Sequence, residues 1–530
     1  MRMIKTDIYL PVGYTMADIR TSVCSHLPVT ADELKDVRLL RTTLDLNDKS
    51  DIKYRATVGI SLSEEREAGL LKMRKKVAAV PDYTLTVPAA AFPSRPVVVG
   101  LGPAGLLAAL VLAESGARPI VLERGLPVEK RREKVELFSR MGILDTECNV
   151  QFGEGGAGTY SDGKLKVGSM DKYKMKVLTT FIDSGAPGDI LYSATAHLGT
   201  DKLSDIVANV RNRIISLGGE ISYSSRLVDI VSENGTVTAI KYENDGQLVT
   251  LPAADVILAV GHSARDTIAK IYQLGVKMEA KGFGIGVRIE HPREYVNDLV
   301  YGRGHDSRLE TASYHLVTHL DNGRSVYSFC MCPGGTVVAA TSEEGSVVTN
   351  GMSEYLRDGR NSNSALLVSL TPADFPNASP LGGFALQSEI ERLTFAAGGS
   401  DYRAPVTTLG DFLEHREVRA LGAVAPSYPV GTTLCNPEKY LPDYITSSLR
   451  SAIYDFDNWM PGFLLPDAVL TGSETRSTAP VRILRNENYA SVTLEGLYPT
   501  GEGAGYSGGI VSSATDGVRV ALSLIEKYKK

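Results

Sequence analysis

The residues best placed to organise chemistry in this chain are glycines. Gly100-Leu101-Gly102-Pro103-Ala104-Gly105 fits the pattern G-x-G-x-x-G. It follows the apolar run VVVG at 97–100 and opens an Ala/Leu-rich stretch from Pro103 to Gly116. Gly100 permits a tight turn, Gly102 lets the backbone approach a pyrophosphate, and Gly105 allows close helix–sheet packing. The free amides at the start of a helix, around Pro103 and Ala104, attract a diphosphate. Glu123 closes the next strand, where it can accept both ribose hydroxyls and its charge disfavours a 2′-phosphate. Arg124 beside it belongs to the same expected site.

That fingerprint alone does not separate FAD from NAD, and three later segments point to FAD. FGEGGAGT at 152–159 is a second glycine loop. Its Gly155, Gly156, Ala157, Gly158 and Thr159, with Asp162, Gly163 and Lys164 after them, would let backbone lie along a long flavin nucleotide. Val256 to Gly261 is a strand ending in a glycine turn, with His262 next to it. Val228, on the strand Leu227 to Val231, is placed in the same nucleotide half. Finally, LYPTGEGAGYSGGI at 497–510 ends a strand and begins a terminal helix. Gly501 makes the turn and Glu502 is placed to bond ribityl hydroxyls. The helix start at Gly508, Gly509 and Ile510 would face the flavin N1/C2=O edge, where its partial positive charge favours an anionic reduced flavin.

Substrate groups are expected from the middle of the chain. Arg288, Glu290 and His291 in VRIEHP, Cys330 and Cys332 in FCMCPGG, and Arg476 in TRSTAPVR are the candidates. Arg288 and Arg476 fit either a bidentate carboxylate clamp or a domain-interface ion pair. His291 and His262 fit acid/base work or a structural hydrogen bond. Asn361-Ser362-Asn363-Ser364 could line the same cavity or cap a loop. Cys330-Met331-Cys332 is either a redox relay or two small residues of a buried strand. In an extended strand the two would share a face, at a separation strained for a disulfide. The Cys-x4-Cys dithiol that disulfide reductases carry after the first glycine motif is absent. Gly282-Phe283-Gly284-Ile285-Gly286 lacks the third glycine and precedes a strand-like segment, so no dedicated NAD(P)H domain is expected. A nicotinamide donor would visit the flavin face transiently.

The elements that must hold these groups alternate strand, glycine turn and helix from 97 onward. Helix is expected at Leu203 to Leu217, and strands at Glu220 to Tyr223, Leu227 to Val231, Val237 to Tyr242 and Val256 to Val260. Residues 1–90 read as a separate βαββα unit without chemistry, an accessory docking or capping domain. Pro81 to Pro96 reads as an extended linker. The FAD-binding part is expected at 95–267 and again at 466–530, with a loop-rich inserted substrate domain at 268–465. The basic run Lys72-Met73-Arg74-Lys75-Lys76 reads as the solvated end of a helix. With 530 residues, 43% hydrophobic, the chain can bury a large core. A net charge of −6 argues against a general nucleic-acid binder. Five cysteines, an odd and sparse set without paired Cys-x-x-Cys motifs, argue for a reducing compartment and against a structural metal. No apolar h-region opens the chain and no run of about eighteen apolar residues occurs, so a cytoplasmic protein without a membrane span is expected.

These segments together resemble a family of bacterial FAD-dependent, or NAD(FAD)-utilizing, dehydrogenases of unassigned substrate. Further carriers of the resemblance are HLGTDKL (197–203), AVGHSARDT (259–267), FGIGVRIEHP (283–292) and GRNSNSALL (359–367). The resemblance implies a Rossmann-type, glutathione-reductase-like FAD-binding domain with an inserted α+β substrate domain. It implies FAD bound between an N-terminal glycine fingerprint and a C-terminal cap, and it supplies no substrate. The expected function is a FAD-dependent oxidoreductase moving hydride to or from a small organic molecule. The rivals are a flavin monooxygenase and a flavin-binding redox-sensing or docking protein.

Overall fold

A computed structural model of the chain describes residues 3–72 and 76–529. The N-terminal unit contains β1 (Ile4–Pro11), α1 (Met16–His26), β2 (Asp36–Asp45), β3 (Lys53–Ser61), α2 (Glu64–Leu71) and β4 (Ala78–Ala79). Alternation along β1 turns Ile4, Ile8 and Leu10 inward onto Ile19 and Val23 of α1. Thr15 and Asp18 exchange side-chain and backbone bonds as a capping box and fix where α1 starts. The sheet order is β2-β3-β1-β4, so a short edge strand is added to the expected βαββα order: Ala78 and Ala79 pair with Lys5 and Ile4. Lys72 caps α2; Met73, Arg74 and Lys75 of the basic run lie outside the described residues.

The proline-rich stretch after this unit is fastened to the next one. Ala90 N–H donates to the Ser115 carbonyl and Ala91 N–H to the Tyr528 carbonyl. The Phe92 ring lies 4.9 Å from that of Tyr528.

The second unit begins with β5 (Val97–Val99), α3 (Pro103–Glu114), β6 (Ile120–Leu122), α4 (Val128–Met141), α5 (Lys172–Asp183), α6 (Gly199–Ser216) and β7 (Glu220–Ser222). An antiparallel meander follows, β8 (Ser225–Glu233), β9 (Thr236–Asn244) and β10 (Gln247–Pro252), then β11 (Val256–Leu258) and α7 (Arg265–Gln273).

The inserted unit contains β12 (Met278–Ala280), β13 (Phe283–Pro292), α8 (Arg293–Tyr301), β14 (Val317–His319), β15 (Ser325–Cys332), β16 (Thr336–Ala339), β17 (Thr349–Met352) and β18 (Asn361–Leu370). It continues with α9 (Gly382–Gly398), β19 (Ala404–Thr408), α10 (Leu409–Leu413), β20 (Thr432–Leu434), α11 (Asp443–Trp459), β21 (Val469–Glu474) and β22 (Val481–Ile483). Its sheet has seven strands in the order β14-β15-β18-β13-β21-β19-β20. β13, β18 and β21 are buried almost throughout. No alternation of apolar and polar residues marks such strands, which is why the segment reads as loop-rich from its sequence. β21 pairs with both β13 and β19, so the inserted sheet runs past the boundary expected at 465. Gly284 and Gly286 lie in β13, and a Cβ on Gly286 would stand 1.8 Å from the Leu366 carbonyl oxygen. These glycines serve strand crossing, in line with their rejection as a nucleotide turn.

The chain then returns to the second unit through β23 (Leu497–Pro499) and α12 (Ile510–Lys527). Five parallel strands stand in the order β23-β11-β5-β6-β7, with Val97 opposite both Val256 and Ile120. α3 is buried from Ala104 to Ala113, as its apolar composition requires, and α12 packs along it. The two helices approach so closely that a Cβ on Gly517 would lie 2.0 Å from the Ala104 carbonyl oxygen. Gly517→Ala is therefore expected to destabilise the protein by about 1–3 kcal/mol through overpacking, read as a lower urea midpoint. An unchanged midpoint would show that the α3–α12 contact has slack.

Candidate functional site

The first glycine turn is built by contact. Gly100 has φ +96°, and a Cβ there would sit 2.4 Å from the Ala259 carbonyl oxygen. A Cβ on Gly105 would sit 1.9 Å from the Gly100 carbonyl oxygen. Gly102 differs: its nearest neighbour would be Gly156 Cα at 3.7 Å. Gly102 caps α3 without a side-chain bond, and Pro103 starts the helix. The first-turn amides of α3 thus open on a cleft rather than on protein.

Glu123, at the end of β6, is buried and joins the two glycine loops. It accepts N–H bonds from Leu101 (2.8 Å), Gly125 (2.9 Å) and Gly153 (3.0 Å). Its Oε2 carries one of these and retains accepting capacity at the cleft wall. Arg124 pairs with Glu147 and Asp266 and lies 3.9 Å over the Phe152 ring.

The second glycine loop is held from within by Arg131 of α4, a residue the sequence reading did not single out. Its guanidinium is fully buried and donates to the carbonyls of Asn149, Val150, Gly153, Glu154 and Gly156. Burial pulls its pKa below the usual range for arginine, with the negative groups around it opposing the shift. The sequence carried no signal for it: Arg131 is one of three arginines in a charged, surface-like helix.

The third and fourth turns complete the cleft. Gly261 has φ +76°, and a Cβ there meets nothing within 4 Å; Gly508 is equally open. Gly501 N–H donates to Asp516 (2.7 Å), which Arg485 holds at 2.9 and 2.7 Å. Gly509 caps α12 without a side-chain bond. Glu502 reaches the cleft with no side-chain hydrogen bond to the described residues, and burial raises its carboxyl to about 7, opposed by Lys281.

One continuous cleft is lined by Gly100, Gly102, Pro103, Ala104, Glu123, Arg124, Gly156, Ala157, Gly158, Asp162, Gly163, Lys164, Gly261, His262, Glu502, Gly508, Gly509 and Ile510. Gly105, Gly155, Thr159 and Gly501 stand behind it as packing and turn residues. Val228 also lies off the wall, at a register shift of β8, while Ser225, Arg226 and Leu227 reach it. Gln151 was missed as well: it lines the cleft, accepts from Ser263 (3.0 Å) and donates to the Ala340 carbonyl (3.2 Å).

The substrate-side candidates divide. Cys330 and Arg476 line the cleft; Arg288, His291 and Cys332 do not. All five N–H groups of Arg288 are engaged, by Glu474 (2.6 and 2.9 Å), Asn363 (2.7 Å), Asn350 (3.3 Å) and the Cys330 carbonyl (3.1 Å). None is left for a substrate carboxylate; the ion pair with Glu474 lies inside the inserted sheet, between β13 and β21, and not at a domain interface. His291 bonds the Phe463 carbonyl (2.9 Å) inside the inserted unit, and burial pushes it down to about 4. Glu290 is buried and accepts from Asn361 and Ser427. Arg476 and Arg265 grip the buried Glu391 of α9; against a large burial penalty the two cations hold that carboxyl well below its usual range. His262 bonds Ser263 (2.9 Å), and burial, then Arg476 and Arg265, push it down to about 3.

Open glycines facing the cleft, two uncapped helix N-termini and an unpartnered carboxyl are what a phosphate-linked, polyhydroxylated nucleotide requires. The cofactor is FAD, which the cleft fits and the family match supports. The family model "FAD-dependent protein, C-terminal domain-like" matches residues 282–477, the inserted unit. A protein of Clostridium beijerinckii, described as uncharacterized, is 44% identical over 535 residues, covering 98% of each chain. The chain belongs to the same family as that relative. Among solved structures, a 3-ketosteroid-delta4-(5alpha)-dehydrogenase of Rhodococcus jostii RHA1, in complex with 4-androstene-3,17-dione, is similar at 13% identity and TM-score 0.34, covering 84% of this chain and 100% of that one. A quinol fumarate reductase FrdA variant of E. coli is similar at 13% identity and TM-score 0.36, covering 83% and 70%.

Three outcomes follow from the geometry. Gly102→Val fills the open side of the first turn and is expected to purify without flavin absorbance; a fully yellow variant would refute the phosphate assignment. Ionised Glu502 is the better acceptor, so FAD affinity should rise as pH climbs through about 7, and Glu502→Gln should flatten that rise in fluorescence titrations. His291, held below its ordinary 6.5, takes up no proton when folded, while the unfolded chain does. Stability should therefore fall as pH drops from 6.5 toward 4, by about 1.4 kcal/mol per pH unit from this residue. His291→Gln should remove that share of the slope in urea melts.

Proposed function

We propose that this protein is a FAD-dependent oxidoreductase that moves hydride between FAD and a small organic substrate held between the second and inserted units. The observation that carries the reading is the continuity of the cleft. It runs from the phosphate turn at Gly100–Ala104 to Phe329, Cys330 and Asn350 of the inserted unit. FAD, when bound, supplies the hydride acceptor and donor; the chain supplies orientation, charge and proton handling.

Several groups suit those tasks. Lys164 and Lys166 place positive charge on the cleft wall, which favours an anionic substrate. His262, held near 3, stays neutral at pH 7 and offers a hydrogen bond rather than a charge. The Glu502 carboxyl, near 7, can hold or release a proton at working pH. In this reading NAD(P)H reaches the flavin through the same cleft. Among the described residues no helix is long and apolar enough to cross a membrane. The five cysteines are free, which supports a cytoplasmic setting.

The test is anaerobic bleaching of the flavin absorbance by a panel of organic acids, ketones and alcohols, with NADH and NADPH run in parallel. At least one is expected to reduce the flavin. A flavin that stays oxidised throughout would count against the dehydrogenase direction.

A further inference from the structure

Cys330 does not lie in regular strand geometry. β15 pairs with β18 up to Phe329, then shifts register before Cys332. Cys330 has φ +40°, a left-handed conformation that glycine adopts freely and cysteine does not. The site therefore keeps a thiol where a bare backbone would be less strained. Phe329 and Cys330 line the cleft, while Cys332 is fully buried behind them and its Sγ–H donates to the Cys330 carbonyl at 3.1 Å. Arg288, buried and anchored on Glu474, reaches the same carbonyl at 3.1 Å and lies 3.9 Å from Cys332 Sγ. Asn363, opposite Cys332 on β18, has a buried Nδ2 without a hydrogen-bond partner.

We propose that Cys330 and Cys332 form a redox-active dithiol that exchanges an electron pair with FAD, an inference that rests on the flavin reading of the cleft. In the oxidising direction the Cys330 thiolate would yield an electron pair to oxidised FAD while Cys332, losing its proton to the flavin, bonds through its sulfur to Cys330 Sγ. One Sγ–Sγ bond forms, the Cys332 S–H bond breaks, and FAD would be reduced by two electrons and take up the proton. In the reverse direction reduced FAD returns the pair, the disulfide opens and Cys332 recovers its proton. The two thiols are suited to unequal roles. A hydrogen bond with Cys332, then the charges of Arg288 and Lys164, draw the Cys330 thiol down, whereas burial pushes Cys332 up. A disulfide across one intervening residue is strained and hence readily reduced, as a relay needs.

The test uses the flavin-loaded full chain. FAD content is first measured by absorbance, and anaerobic dithionite titration then counts electrons. The expected uptake is about four electrons per FAD in the oxidised wild type and about two in Cys330→Ser and in Cys332→Ala. Denatured samples should show all five thiols after reduction and two fewer after reoxidation, with the missing pair mapped to the 330–332 peptide. Flavin-loaded wild type that takes up two electrons and keeps all five thiols overturns the dithiol and leaves the flavin reading standing. Protein that binds no FAD overturns both. The wild-type counts decide the matter even if a variant fails to fold.

Discussion

A single buried guanidinium holds this cleft open. Arg131 has no carboxylate bonded to it, yet it is removed from water entirely. A cation so placed survives only if its donors are satisfied, and five backbone carbonyls satisfy them. Those carbonyls belong to residues 149–156, so the second glycine loop is wrapped on a charge. Gly153 is a glycine for this reason: a Cβ there would lie 2.4 Å from Arg131 Cδ. The loop in turn presents the Gly153 amide to Glu123, and Glu123 holds Leu101 in the first turn. From α4 to the start of α3, each polar group is fixed by the one before it. The nucleotide meets amides already aimed, and little ordering is left to oppose binding.

A second charged knot joins the inserted unit to this frame. Glu391 stands between Arg265 of α7 and Arg476, which follows β21. The wall carrying His262 and the wall carrying Ser477 are therefore tied through Glu391, and Glu343 pairs with the same two arginines at 3.1 and 3.7 Å. Replacing Glu391 would leave two buried guanidiniums with only the half-exposed Glu343 between them, which is strongly destabilising.

Those parts of the site that depend on backbone were legible in the sequence. Gly100, Gly102, Gly105, Gly501 and Gly508 announce turns and close approaches, because glycine's permissiveness has few other uses at such spacing. Glu123 and Glu502 were legible from where they follow a strand. Parts that depend on long-range pairing were not. Arg131 looks like any arginine of a charged helix until the loop it binds, some twenty residues on, is folded around it. Arg288 invites a carboxylate in the sequence, but Glu474, distant along the chain, already occupies it. The Cys330 bulge was hidden for the same reason, since register is set by β18 and not by FCMC itself. The seven-stranded sheet escaped notice because strands buried on both faces carry no alternating pattern.

The interleaving of chain ends in the second unit has a consequence for biogenesis. β23 forms an edge of the parallel sheet beside β11, and α12 lies flush on α3 with Gly517 against Ala104. A nascent polypeptide that has not yet released residues 497–527 from the ribosome lacks both, and the apolar surface of α3 stays bare. The inserted sheet, complete by Glu474, can close first. Flavin capture thereby waits until residues 497–527 have been made, and the exposed α3 face until then is where chaperones would be needed.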